Sequence, residues 1–188
     1  MIELPKLVLA SASPRRAEIL RTVGWPFVTR PVEIDESRRT NEDAAGYVRR
    51  LALEKAEAVT QFENAIIVGA DTTVVADDHV LEKPADANDA ARMLRLLSDR
   101  WHQVLTGVAV VRSGALETQV DHETTEVKFS AMSDEEIEWY VSTGEPMDKA
   151  GAYAIQGLGS RFIKEIRGDY FNVVGLPVRL LYELINRP

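Results

Sequence analysis

Residues 7–23, Leu-Val-Leu-Ala-Ser-Ala-Ser-Pro-Arg-Arg-Ala-Glu-Ile-Leu-Arg-Thr-Val, constrain the rest of the chain more than any other stretch. Residues 7–10 have the length and apolar character of a buried strand. Ala17, Leu20 and Val23 then recur at helical spacing, so a strand must turn into a helix between them. Ser13 followed by Pro14 suits an N-cap and a first helical position, where the missing N–H has no intrahelical partner to lose, and Gly24 supplies the stop. Arg15 and Arg16 thereby fall in the first helical turn, where the helix dipole disfavours each cation by about 0.3–1 kcal/mol. Two readings follow. Either this is a surface loop with two solvated arginines, or the helix-start N–H groups, the Ser11 and Ser13 hydroxyls and the two guanidiniums hold a phosphate chain.

The 188 residues are enough for one well-buried core, and no break in composition divides them, so residues 1–188 read as a single domain. With 45% hydrophobic and 28% charged residues the chain has the composition of a soluble globular protein. It has no apolar run of membrane-spanning length, and Met1 to Lys6 do not form a basic segment followed by an apolar one, so a cytoplasmic protein with no membrane partner is expected. The absence of cysteine excludes disulfides, thiolate metal sites and cysteine nucleophiles. A net charge of −8 argues against a nucleic-acid partner, which calls for an excess of Lys and Arg on one face. A small anion held by a few local cations remains compatible with it.

Along the chain, residues 27–30 read as a short strand closed by Pro31, and 33–39 as a charged loop whose carboxylates, Glu36 among them, are either solvated or in reach of a divalent cation. Residues 40–43, Thr-Asn-Glu-Asp, resemble a capping box opening a helix that runs to Gln61. Its buried stripe is Val48, Leu51, Ala52, Lys55, Ala56 and Val59. An unpaired ammonium in such a stripe is costly, so Lys55 either snorkels past the helix edge or faces a cleft anion. Residues 65–68 form an unbroken apolar run, a fully buried strand, and Asp71 stands at its end. That places Asp71 in a crevice at the sheet edge, the usual ligand position of open α/β sheets, unless it only caps the turn.

Further on, residues 77–79 form a turn with 80–81 as the return strand, and Lys83 is held extended ahead of Pro84. A helix follows at 86–98, a buried strand at 103–111, a turn at Gly114, and one long or two short strands at 116–129. Residues 133–136 make a second capping box for a helix through Val141. Residues 151–155 read as a strand entering a glycine-rich bend, 162–167 as another strand, and 178–185 as the last helix. The bend is not a dinucleotide fingerprint, because Phe162 occupies the place of the third glycine. Strands alternating with helices and hairpins imply a mixed α/β sheet with helices on both faces. A cleft is expected where the 11–16 loop meets the end of the Asp71 strand.

Several chemistries drop out. His79, His102 and His122 have no ligand spacing, no Gly-x-x-x-x-Gly-Lys-[Ser/Thr] loop is present, and no Gly-x-Ser-x-Gly elbow exists. What remains is Arg15, Arg16, Lys55 and Lys83 beside Asp71 and Glu36, with no good protein nucleophile. That set suits attack by water on a polyphosphate. Carboxylates ordinarily titrate far below pH 7, so a lone aspartate is a weak base and metal help is expected. Oxygen-only ligands select Mg²⁺ or Mn²⁺.

The segments Leu-Ala-Ser11-Ala-Ser13-Pro-Arg15-Arg16, Asp35-Glu36, Arg50-Leu-Ala-Leu-Glu-Lys55-Ala, Gly-Ala-Asp71-Thr72, Lys83-Pro84, Tyr153-Ala-Ile-Gln156-Gly and Asn172-Val-Val-Gly-Leu-Pro177, nearly end to end and in order, resemble the Maf family. The resemblance implies an inosine-triphosphatase-like mixed α/β fold, often dimeric, that cuts a nucleoside triphosphate between the α and β phosphates. It assigns Ser13, Arg16, Glu36, Lys55 and Lys83 to the phosphates and metal and Asp71 to proton acceptance, with Asp71 either the base or, beside Glu36, a metal ligand; Ser11 joins the phosphate set from the loop itself. Arg15, Thr72 and Gln156 match the positions that mark the dTTP/UTP subgroup; the 7-methyl-GTP subgroup carries tryptophan, glutamine and glutamate there. Glu82 departs from the pattern, since glycine is common before the Lys-Pro pair. A second reading is a nucleotide-binding regulator of cell division without significant turnover.

Overall fold

The computed structural model describes residues 4–59, 62, 64–113 and 117–187. The Gly114 turn and the first residue of the 116–129 strand lie outside them, whereas the helix expected to run to Gln61 stops at Glu57, with Ala58 as its C-cap and Val59 already outside it. The strands form a mixed seven-stranded sheet of order β2-β1-β3-β5-β6-β7, with β4 paired to β3. β1 (Leu7–Leu9) runs parallel to β2 (Phe27–Thr29) and to β3 (Ile66–Ala76), while β3 with β4 (His79–Leu81) and β6 (Glu117–Phe129) with β7 (Ile163–Arg167) are antiparallel. β5 is Trp101–Arg112. The chain divides into two compact units. The first comprises 1–71, 106–123 and 175–188, and the second 72–105 and 124–174.

In the first unit, β1 is buried at every position, as its apolar run predicts. α1 (Pro14–Thr22) starts with Ser13 at the N-cap and Pro14 at its first turn, and Gly24 takes the left-handed φ of 70° that ends it. Ser13 is a cap by backbone only: its hydroxyl caps nothing, and its N–H instead donates to Ser11 Oγ at 3.2 Å. Ile19 fills the buried place expected of Val23, which is half-buried. α2 (Ala44–Glu57) is capped by Asp43, which accepts from the Gly46 N–H at 2.6 Å, not by Thr40 three residues earlier. Its buried face is the expected stripe, Lys55 included.

Two glycines set how closely α2 lies on the sheet. A Cβ on Gly69 of β3 would sit 2.0 Å from the Ala52 carbonyl oxygen, and one on Gly107 of β5 would sit 2.2 Å from that of Val48. Backbone therefore rests on backbone, and no other residue type fits. Around that contact Val8, Ala10, Ala52, Ala56, Ile67 and Ala109 form a core of small side chains. α6 (Val178–Asn186) buries Leu180, Leu181, Leu184 and Ile185.

The second unit has its own core, in which Met93, Leu94 and Leu97 of α3 (Ala87–Leu97) meet Val104, Phe129, Ile137 and Tyr153. α4 (Asp134–Ser142) carries the full capping box of Ser133 and Glu136. Asp77 and Asp78 take φ values of 46° and 65°, the left-handed pair of a two-residue hairpin, and so join β3 to β4. The expected strand at 151–155 does not form. Gly151 and Ala152 have φ values of 70° and 58°, which breaks the extended run, and the segment instead makes 3₁₀ turns at Ala150–Ala152 and Gly157–Phe162. A short helix, α5 (Tyr170–Val174), follows β7, with Asp169 Oδ1 accepting from the Phe171 N–H at 2.7 Å. No helix among the described residues is long and apolar enough to cross a membrane.

Candidate active site

Asp71 is not at the end of its strand, since β3 continues to Ala76. It lies where β1 has stopped: the parallel pairing ends at Val68, and Ala10 N–H makes the last bond to the Val68 carbonyl at 2.8 Å. The ligand-bearing position of an α/β sheet is thus preserved inside a longer strand.

Lys55 of α2 does not snorkel into solvent but pairs with two carboxylates of the chain itself. Its Nζ lies 2.6 Å from Asp71 Oδ1 and 2.7 Å from Glu36 Oε1, and the residue is 8% exposed. The close seating of α2 against Gly69, two residues before Asp71, is what brings that ammonium to the strand. Glu36 arrives from the irregular segment between β2 and α2. The Asp71 side chain is 13% exposed and that of Glu36 51%, so water screens the Lys55–Asp71 pair far less than the Lys55–Glu36 pair.

Arg16 is the second buried cation. Nε donates to the Gly175 carbonyl at 2.8 Å and Nη1 to Ser11 Oγ at 3.1 Å, which fixes the plane of the guanidinium. Burial lowers its pKa, aided by the neighbouring Arg15, while Asp71 and Glu36 act against that shift. Arg15, Asp71 and Glu36 are therefore in electrostatic reach of Arg16. Arg15 is half-buried, and the first turn of α1 holds no acidic residue. Three cations thus stand against two carboxylates in a chain whose net charge is −8. Ser11 serves the loop from within, accepting both the Ser13 N–H and the Arg16 guanidinium.

The first unit brings together Ser11, Ser13, Arg15, Arg16, Glu36, Lys55 and Asp71. The other expected site residues, Thr72, Lys83 and Gln156, belong to the second unit. Thr72 is half-buried on β3, Lys83 is exposed after β4 and next to buried Pro84, and Gln156 is exposed at the start of the last 3₁₀ turn. Sequence reasoning missed the Gly175 carbonyl as the anchor of Arg16. Only the Asn-Val-Val-Gly-Leu-Pro segment hinted at it.

The sheet order defines a mixed α/β protein of the Ham1 fold, whose first unit gathers three cations and two carboxylates. The Staphylococcus aureus Ham1 protein has a similar structure, with a TM-score of 0.51 over 84% of this chain and 79% of that one, at 15% identity. A family model described as Maf-like protein matches residues 6–188, and the chain belongs to that family. It is 53% identical to the dTTP/UTP pyrophosphatase of Koribacter versatilis over 182 residues, 96% of this chain and 93% of that protein. It is also 53% identical to the dTTP/UTP pyrophosphatase of Symbiobacterium thermophilum over 185 residues, 98% and 94% of the two chains.

Proposed function

We propose that this chain hydrolyses dTTP and UTP to the monophosphate and pyrophosphate. The observation that carries the reading is the buried Lys55 ammonium shared by Asp71 and Glu36 within the field of Arg16, in a chain half identical to proteins of that name. Cations of this kind neutralise charge that develops on phosphoryl oxygens as the anhydride breaks. Arg15, Arg16, Lys55, Lys83, Ser11 and Ser13 take the phosphates; Arg15, Thr72 and Gln156 take the pyrimidine, whose carbonyls and ring N–H suit a guanidinium, a hydroxyl and an amide. Asp71 uses Oδ1 for Lys55 and accepts the proton of the attacking water on its second oxygen.

Asp71 and Glu36 fit a hard divalent cation. No cluster of three or more His, Cys, Asp or Glu among the described residues could hold a metal unaided. Two carboxylates completed by substrate phosphates are the usual Mg²⁺ or Mn²⁺ arrangement. Once bound, such an ion supplies charge neutralisation at the phosphates and water of lowered pKa. The match of one family model to residues 6–188 supports a single functional domain, which we place in the cytoplasm as a homodimer acting on free nucleotides, without nucleic-acid or membrane partners.

The test is a panel of nucleoside triphosphates with Mn²⁺ or Mg²⁺. Pyrophosphate and monophosphate from dTTP and UTP support the reading. Orthophosphate as the sole inorganic product, or a preference for purines, overturns it.

A further inference from the structure

Residues 30–43 contain no helix or strand, yet they deliver Glu36 to Lys55. A segment without a hydrogen-bonded ladder of its own opens easily unless side chains hold it. Here they come from α2. The Tyr47 hydroxyl donates to the Glu36 carbonyl at 2.9 Å, and Arg50 Nη2 donates to the Ser37 carbonyl at 3.0 Å. Two consecutive carbonyls are thereby tied to residues one helical turn apart.

Arg50 does more than this. Nε reaches Glu42 Oε1 at 2.6 Å, Nη2 reaches Glu42 Oε2 at 2.8 Å, and Nη1 reaches Glu54 at 3.0 Å. Glu42 in turn accepts the Arg39 N–H at 3.0 Å, and its carbonyl accepts Arg38 Nη2 at 2.7 Å. The Arg50 hydrogen bonds hold the Glu42 carboxyl down to about 2, so the pair stays ionised at neutral pH. Both side chains are largely covered, at 12% and 11% exposure. Arg50 and Lys55 share α2, so one helix supplies both the ammonium that takes the Glu36 carboxylate and the guanidinium that secures the backbone behind it.

We propose that Arg50 is a positioning residue of the active site: by gripping Glu42 and the Ser37 carbonyl it holds the Glu36 carboxylate beside Asp71, where the two bind a divalent cation. Arg50 touches none of the reacting groups. The proposal rests on the reading of Glu36 and Asp71 as a metal site given above. A lysine cannot replace the guanidinium, because the four bonds need its planar fork as well as its charge.

The test is Mn²⁺ binding to the full chain, followed by electron paramagnetic resonance, for wild type, Arg50→Lys, Glu36→Gln and the double variant. Supporting groups behind metal ligands change affinity by roughly 10- to 100-fold, and Arg50→Lys is expected to weaken Mn²⁺ about tenfold. With Glu36→Gln already in place, Arg50→Lys should add nothing, because there is no longer a carboxylate to position. Arg50→Lys binding like wild type, or weakening binding equally in the Glu36→Gln background, overturns the proposal. If Arg50→Lys does not fold, Tyr47→Phe, which removes only the hydroxyl on the Glu36 carbonyl, should weaken Mn²⁺ about tenfold on the same grounds, and unchanged binding is then the refutation. If Glu36→Gln and Asp71→Asn both bind Mn²⁺ like wild type, the metal-site reading itself fails and takes this proposal with it.

Discussion

Replacing Lys55 with methionine tests the site's electrostatics apart from any assay of turnover. Methionine keeps the length and apolar stem of lysine, so the packing of α2 survives and only the charge is lost. Asp71, 13% exposed, then loses a partner at 2.6 Å and cannot regain full hydration. Removing one member of a buried pair costs about 3–5 kcal/mol. Glu36, half exposed, can turn to water, and its share is under about 1 kcal/mol. Burying a thioether in place of an ammonium offsets about 1 kcal/mol. The net loss is about 3 kcal/mol, and for a chain of this size each kcal/mol moves the melting midpoint by about 2–4 °C, so a fall of about 6–12 °C is expected. Adding Asp71→Asn should recover most of it, because the amide carries no charge to strand. Thermal unfolding followed by circular dichroism measures both. A Lys55→Met variant melting with wild type, or a double variant no better than the single, would refute the reasoning.

Gly69→Ala should cost more than about 3 kcal/mol and abolish activity, because its Cβ meets the Ala52 carbonyl oxygen at 2.0 Å and displaces the helix that carries Lys55. A variant with an unchanged melting midpoint would show that α2 is seated otherwise. His102 is buried and neutral: burial lowers its pKa from 6.5 to about 3, and Nε2 pairs with the Tyr153 hydroxyl at 2.8 Å. A depressed histidine pKa makes the folded state bind fewer protons than the unfolded one, so its contribution is full above pH 6.5 and is lost as pH falls toward 3. Nuclear magnetic resonance should find the His102 ring unchanged from about pH 8 to about pH 5, and a midpoint inside that window would contradict the assignment.

What could be read from the sequence was local. The apolar run before Ser13-Pro14, the stripe containing Lys55 and the capping box at Ser133 each follow from neighbours within two helical turns, and each formed. The start of α2 was misplaced because Thr40 and Asp43 are both able caps, and the helix uses the later one. The alternation at 151–155 imitates a strand, yet positive φ values at Gly151 and Ala152 prevent one. The parts of the site that escaped the sequence depend on tertiary approach. Arg16 finds its anchor 159 residues away at Gly175. Gly69 and Gly107 look like weak points of strands until α2 is laid on them. Glu36 sits in a segment with no period to read, and it reaches Lys55 through side chains of a helix that begins eight residues later.

The most direct measurement compares wild type with Asp71→Asn for dTTP binding by calorimetry and for dTMP and pyrophosphate release in the presence of Mn²⁺. If Asp71 accepts the proton from water, the variant folds, binds dTTP and releases neither product. Turnover of dTTP by Asp71→Asn at the wild-type rate would contradict the claim that hydrolysis occurs at the carboxylate held by Lys55.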